Sequence, residues 1–243
     1  MYGEYTKILE NAVTIRIKDG DNDKLAASLD SEDRARFKQY EELAVKARKH
    51  PMDEVVLILA VTAWEAFGPN DNGDALFSRP IYKIKEKGTI PKTHKSFETR
   101  AMLSRNHQYS SPMQAVGDIL HAAYIPKYKR IEVLARYDWH KATRECNRIR
   151  SKKALINSMG YRIYSPELPS ESGEFCSYCG KHARKNKDRC PHLKGMIGSI
   201  IDGIPVFMMN GLGFFVDLSS VGVPGDFNVR TVWRASSGEK DGK

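Results

Sequence analysis

Cysteine spacing constrains this chain most. Cys176, Cys179 and Cys190 cluster, whereas Cys146 stands alone. The run Phe175-Cys176-Ser177-Tyr178-Cys179-Gly180 is a C-x-x-C-G knuckle, and Cys190-Pro191-His192 follows it closely. Two thiolates at this spacing grip one face of a tetrahedral ion, and the glycine lets the chain turn back so that N–H groups face sulfur. The pattern predicts a Cys3His zinc site made of Cys176, Cys179, Cys190 and His192, with His182 as the alternative fourth ligand. Three thiolates and an imidazole leave no open position, so the expected cofactor is a structural zinc ion. The competing reading is a set of free thiols in a loop.

No apolar run approaches the roughly 18 residues of a membrane span. Met1 is followed by polar sequence without the apolar core of a signal peptide. A soluble, intracellular protein is expected, and in that setting clustered cysteines favour metal over disulfides. The net charge of +9 is uneven. Residues 1–50 are neutral, while 127–153 and 176–195 carry the basic excess. Such a face can attract nucleic acid or an acidic protein, or simply be solvated.

Along the chain, Phe37, Tyr40, Leu43, Ala44 and Ala47 repeat with helical spacing from Ser31 to His50, and Pro51 ends the helix. Residues 1–50 read as an N-terminal helical leader or arm. Glu54–Trp64 reads as a buried strand, and Pro69–Asp74 as a turn. Two strands follow at Val116–Tyr124 and Arg130–Tyr137, joined around Pro126-Lys127. Residues Trp139–Lys152 space Ala142, Cys146 and Ile149 helically, which makes Cys146 a small buried apolar residue. Ala154–Tyr164 is another strand, and Pro166–Gly173 a loop. Ile204–Met209 and Gly213–Leu218 predict a final hairpin across Asn210-Gly211. Residues 236–243 form a polar tail. Strands dominate the middle and helices the flanks, which predicts an α+β domain on an antiparallel sheet or barrel.

Two polar residues stand out by setting. His107 lies in the polar turn Ser104-Arg105-Asn106-His107-Gln108, ahead of Gly117-Asp118-Ile119. Ser158 interrupts an apolar strand in Asn157-Ser158-Met159-Gly160. A serine becomes a nucleophile only beside a base, and imidazole suits that role near neutral pH. Taken with Asn70–Asp74, the Cys176–His192 knuckle and Phe214–Val221 with Pro224, these segments run in the order found in one family. The chain resembles the prohead (capsid maturation) serine proteases of tailed bacteriophages, in the branch that carries a zinc knuckle. The resemblance covers about residues 55–235. Gln108 stands where that branch usually has an acidic residue, and Asp217 where it usually has Glu.

The resemblance implies an antiparallel β-barrel flanked by helices, similar to herpesvirus assemblin, over residues 51–235, with residues 165–200 as an inserted zinc-knuckle loop. It implies an endopeptidase that cleaves phage scaffold and major capsid proteins, located in the host cytoplasm within the prohead or virion. Ser158 would be the nucleophile and His107 the base. Asp217 is the first choice for the group that orients the imidazole, and Asp118 the second. No motif marks the oxyanion donors; backbone N–H groups near the basic 144–153 segment are one candidate source. Two further readings compete: a virion structural protein that keeps the fold without cutting, and a zinc-dependent nucleic-acid-binding module. A homo-oligomer is also compatible with the sequence.

Overall fold

The computed structural model describes residues 30–70, 72–81, 88–151, 155–163, 167–221 and 230–234, the last as backbone. Strand β1 (Glu54–Thr62) and strand β5 (Arg130–Tyr137) pair antiparallel at the centre of the first sheet. Strand β4 (Gly117–Ile125) pairs with β5, and strand β13 (Arg230–Arg234) pairs with β1, giving the order β13-β1-β5-β4. The continuous run Val55–Val61 is apolar because both faces of β1 are buried. Val56, Ile58 and Ala60 enter the main core, whereas Val55, Leu57 and Leu59 face the other way. That second face is covered by helix α1 (Ser31–Ala47), capped by the Asp30 carboxylate accepting from the Asp33 N–H.

The helical half of the expected leader is therefore part of this domain. Phe37, Tyr40 and Ala44 pack on Val55, Leu57, Leu59 and Leu134. Within this apolar interface Glu132 is fully buried. It accepts hydrogen bonds from Arg36 Nε (3.1 Å), Tyr40 Oη (3.2 Å) and Arg130 Nε (3.0 Å). Burial and the adjacent Glu132 carboxylate both hold the Tyr40 hydroxyl in its neutral form, with its pKa pushed up. Residues 1–29 and the polar tail lie outside the described residues.

The second sheet contains strands β3 (Met102–Arg105), β12 (Phe214–Ser220) and β6 (Asn157–Arg162), in the order β3-β12-β6. It lies across the main core from the first sheet. Leu103, Phe215 and Leu218 from this side meet Ile58, Val133 and Ala135 from the other. Phe97, on the short helix α4 (Ser96–Thr99), stacks on Phe215 at 4.1 Å, and helix α5 (Thr143–Arg150) adds Cys146 and Ile149. Helices α2 (Trp64–Phe67) and α3 (Thr89–Thr93) are single turns in the connections.

The fold is mixed α+β, as the sequence predicts. The expected closed barrel is absent: among the described residues no sheet closes on itself. One reason is that β3 runs parallel to β12, so a single antiparallel meander cannot carry the chain round.

A third sheet holds the knuckle. Strands β2 (Asp74–Ala75), β7 (Glu174–Cys176), β8 (His182–Ala183) and β11 (Met208–Asn210) run in the order β2-β11-β7-β8. The knuckle is thus built into a sheet that also takes in residues 74–75 and 208–210, beyond the expected 165–200 loop.

The hairpin expected across Asn210-Gly211 does not form. Strand β9 (Ile200–Ile201) pairs instead with strand β10 (Ile204–Pro205) around Asp202-Gly203, while β11 and β12 join different sheets. Gly211 donates to Gly173 O, and Leu212 to Glu171 O. These bonds hold the strand-to-strand crossing in place of a turn. No helix among the described residues is long and apolar enough to cross a membrane.

Glu132→Ala leaves two arginines without their buried partner and should cost about 3–5 kcal/mol in urea denaturation. Val45→Ala, on the exposed face of α1, should stay within about 0.5 kcal/mol of the wild type.

Candidate active site and metal centre

The site forms where β3, β12 and β6 lie side by side. In register, Ser104 of β3 is opposite Ser219 of β12, and Ser219 is opposite Ser158 of β6. Asp217 of β12 is opposite Gly160 of β6. Residues two apart on a strand share a face, so Ser158 and Gly160 look across at Ser219 and Asp217. A Cβ at position 160 would lie 3.1 Å from the Asp217 Cβ and 3.2 Å from Val216 Cγ2. The glycine of the Ser-Met-Gly motif leaves the room that Asp217 occupies.

His107 follows β3 in a tight reversal. The Asn106 N–H still donates to Ser220 O (3.0 Å), continuing the strand pairing, and the Gln108 N–H bonds back to Arg105 O. Asn106 and His107 are both left-handed, with φ of 45° and 58°. Two consecutive non-glycine residues in that region are uncommon and persist only where neighbours over-determine them. Here β12 does so. The His107 N–H donates to Ser219 Oγ (2.9 Å), and the ring Nδ1 lies 2.7 Å from Asp217 Oδ2.

Asp217 is fully buried. It also accepts from Ser104 Oγ at Oδ1 (2.5 Å) and from Ser219 Oγ at Oδ2 (2.7 Å). A carboxylate can only accept, so Nδ1 carries a proton, and in the neutral ring the lone pair is on Nε2. The imidazole itself is well exposed, with 43% of its side-chain surface open.

Ser158 is half-buried, one strand away on the same face. No hydrogen bond joins Ser158 Oγ to the imidazole among the described residues. Asp118, the second choice for the orienting acid, lies elsewhere, paired with Arg136 at the edge of the first sheet. A cleft of about 320 Å³ opens at the end of these strands, between them and α5, and none of His107, Ser158 or Asp217 lines it. Its lining includes Asn106, Ile156 and Ser220, the Arg105–Glu145 ion pair, and Arg144 and Arg148 of α5.

The knuckle brings Cys176, Cys179, Cys190 and His192 together, their ligand atoms all within 4.8 Å of one another. Gly180 has φ of 67°, as a tight knuckle requires. The Tyr178 and Cys179 N–H groups face the Cys176 sulfur. His192 Nδ1 is buried with no hydrogen-bond partner, the condition of a ring nitrogen set to bind an ion. His182 is turned away, with Nε2 2.7 Å from Ser172 O and its ring stacked on Phe175. The donor set is therefore Cys3His through His192, compatible with a metal ion.

Burial pushes the Cys176 thiol up to about 11. Burial also raises Cys190, but the Leu193 N–H and the two neighbouring sulfurs outweigh it and bring that thiol down to about 7. A divalent cation here would stabilise all three thiolates. Leu193, Met208 and Tyr178 enclose the cluster in apolar surface.

No family model, curated protein or solved structure matches this chain.

Ser104 and Ser219 were missed from sequence, though the i, i+2 spacing of Asp217 and Ser219 on one strand was a usable signal. Cys146 is buried as expected, and burial beside the Glu54 carboxylate pushes its thiol up to about 12. In chelator, iodoacetamide should alkylate the exposed Cys179 first and then Cys190, whose thiol is lowered to about 7. Cys146 should react only after unfolding, which peptide mass mapping would read directly.

Proposed function

We propose that this chain is a serine endopeptidase of the prohead-maturation type, with an assemblin-like arrangement of its strands. The observation that carries the reading is the shared face of three neighbouring strands. It bears Ser158 and Asp217, and it seats His107 on Asp217 through Nδ1. Ser158 Oγ attacks the scissile carbonyl carbon while His107 Nε2 accepts the hydroxyl proton. Asp217 stabilises the imidazolium and holds its tautomer. The proton then passes to the leaving amine as the C–N bond breaks. Water hydrolyses the acyl-enzyme by the same route in reverse. Loose contact between nucleophile and base is common before substrate binds.

Helix α5 carries Arg144 and Arg148 and belongs to the most basic segment of the chain. Acidic stretches of scaffold and capsid polypeptide are the substrates that such a basic surface favours. Zinc is the ion we assign to the Cys3His set, in a closed structural role, because three thiolates and one imidazole fill its four positions.

A virion structural protein that keeps the fold without cutting is the second reading. The observation in its favour is the missing Ser158–His107 hydrogen bond.

Incubating wild type and Ser158→Ala with phage scaffold and major capsid proteins, followed by intact-mass analysis, separates the two. Discrete fragments from wild type alone are expected. Fragments from both would remove Ser158 as nucleophile, and fragments from neither, with both chains folded, would favour the structural protein. One equivalent of zinc per chain is also expected by elemental analysis. Chelation should speed amide exchange across 174–210 well before it does so in β1 and β5.

A further inference from the structure

We infer that Ser219 is the positioning residue that makes His107 available as a base, a role that rests on the endopeptidase reading. His107 is gripped at two points, both on β12: its main-chain N–H by Ser219 Oγ and its ring by Asp217 Oδ2. Ser219 is the group shared by both grips. Its hydroxyl accepts the His107 N–H, donates to Asp217 Oδ2 and lies 2.7 Å from Ser104 Oγ.

The protons can be assigned throughout. The Ser104 hydroxyl proton goes to Asp217 Oδ1. The Nδ1 proton goes to Oδ2. The Ser219 proton is shared between Oδ2 and Ser104 Oγ. Its lone pair remains for the main chain of His107.

The geometry explains why this acceptor matters. His107 is left-handed at φ 58°, directly after a left-handed Asn106. A backbone held in that region is sustained by its surroundings. Loss of the Ser219 acceptor frees the His107 N–H and lets the reversal relax, carrying the ring away from Ser158. Ser104 is the internal comparison. It also donates to Asp217, and it too is fully buried, but among the described contacts it makes no bond to the His107 main chain. Ser219→Ala should therefore exceed Ser104→Ala in effect, although each removes one hydroxyl from the same carboxylate.

The test uses the full chain with its metal. The activity probe is a fluorophosphonate, in which an Oγ–P bond forms at Ser158, the P–F bond breaks, fluoride leaves and His107 takes the hydroxyl proton. Ser219→Ala should slow labelling roughly ten- to hundredfold, the scale expected when a base is displaced by about an ångström. Ser104→Ala should slow it only a few-fold. Two NMR readouts are independent of turnover. The His107 amide should exchange at least roughly tenfold faster in Ser219→Ala but not in Ser104→Ala, and the Nδ1-bound proton signal should broaden or vanish in Ser219→Ala.

Thermal melts of both variants check that the fold survives. Equal labelling rates and equal His107 amide exchange in the two variants would overturn the assignment. A wild type that never labels at Ser158 would remove the endopeptidase reading, and the exchange and Nδ1-proton measurements would then decide the positioning role alone.

Discussion

Strand β12 is hydrogen-bonded on both sides, in parallel to β3 and antiparallel to β6. Every group in the candidate site takes its position from that double pairing. Because side chains alternate, Asp217 and Ser219 share one face, and register alone sets Ser158 and Gly160 opposite them. The same strand then catches the chain leaving β3 and folds His107 back over the pair. The buried carboxylate is tolerable because hydroxyl and imidazole donors meet it. The result is a polar network inside an otherwise apolar sheet, and such networks hold their geometry only when each member has its partner.

The rest of the molecule holds this strand still. Phe215 and Leu218 of β12 anchor it in the main core, with Phe97 stacked on Phe215. At its start, β12 is tied to the knuckle sheet through Gly211–Gly213. Tyr161 Oη donates to Gly211 O, and Thr89 Oγ1 to Asn210 O. A Cβ at Gly213 would fall 2.0 Å from Arg162 O, so glycine is needed for the strands to approach. The metal-binding unit thus feeds directly into the strand that carries Asp217. An ion held by the Cys3His set would stiffen one end of the site's central strand.

Some of this was legible from residues. The strands at Glu54–Thr62, Gly117–Ile125 and Arg130–Tyr137 follow from their apolar and β-branched runs, and Asn157–Arg162 from the wider Ala154–Tyr164 segment around it. The helix at Ser31–Ala47 follows from its 3.6-residue spacing. The three clustered cysteines of the knuckle follow from their spacing, because they lie in a short stretch of chain. The closed antiparallel barrel gives way to the parallel pairing of β3 with β12, and the final hairpin to pairing across sheets. Asn210-Gly211 is a strong local turn signal, but the flanking strands find better partners in different sheets. Local turn chemistry yields there to pairing with distant segments. Helix α1 likewise gives no local sign that it covers β1. Only the two-sided apolar run Val55–Val61 hints that something must cover the second face.

The sequence by itself determined which side chains could bind an ion, which segments had to be buried, and which serine and histidine stood in unusual settings. These are properties of neighbours along the chain, written in spacing and alternation. Only the tertiary structure decided that Asp217 rather than Asp118 meets His107, and that His192 rather than His182 joins the cysteines. It alone revealed the Ser104 and Ser219 hydroxyls around the carboxylate. Those choices depend on strand register and on a left-handed reversal after β3. Both are set by contacts between residues more than a hundred positions apart, which no local pattern encodes.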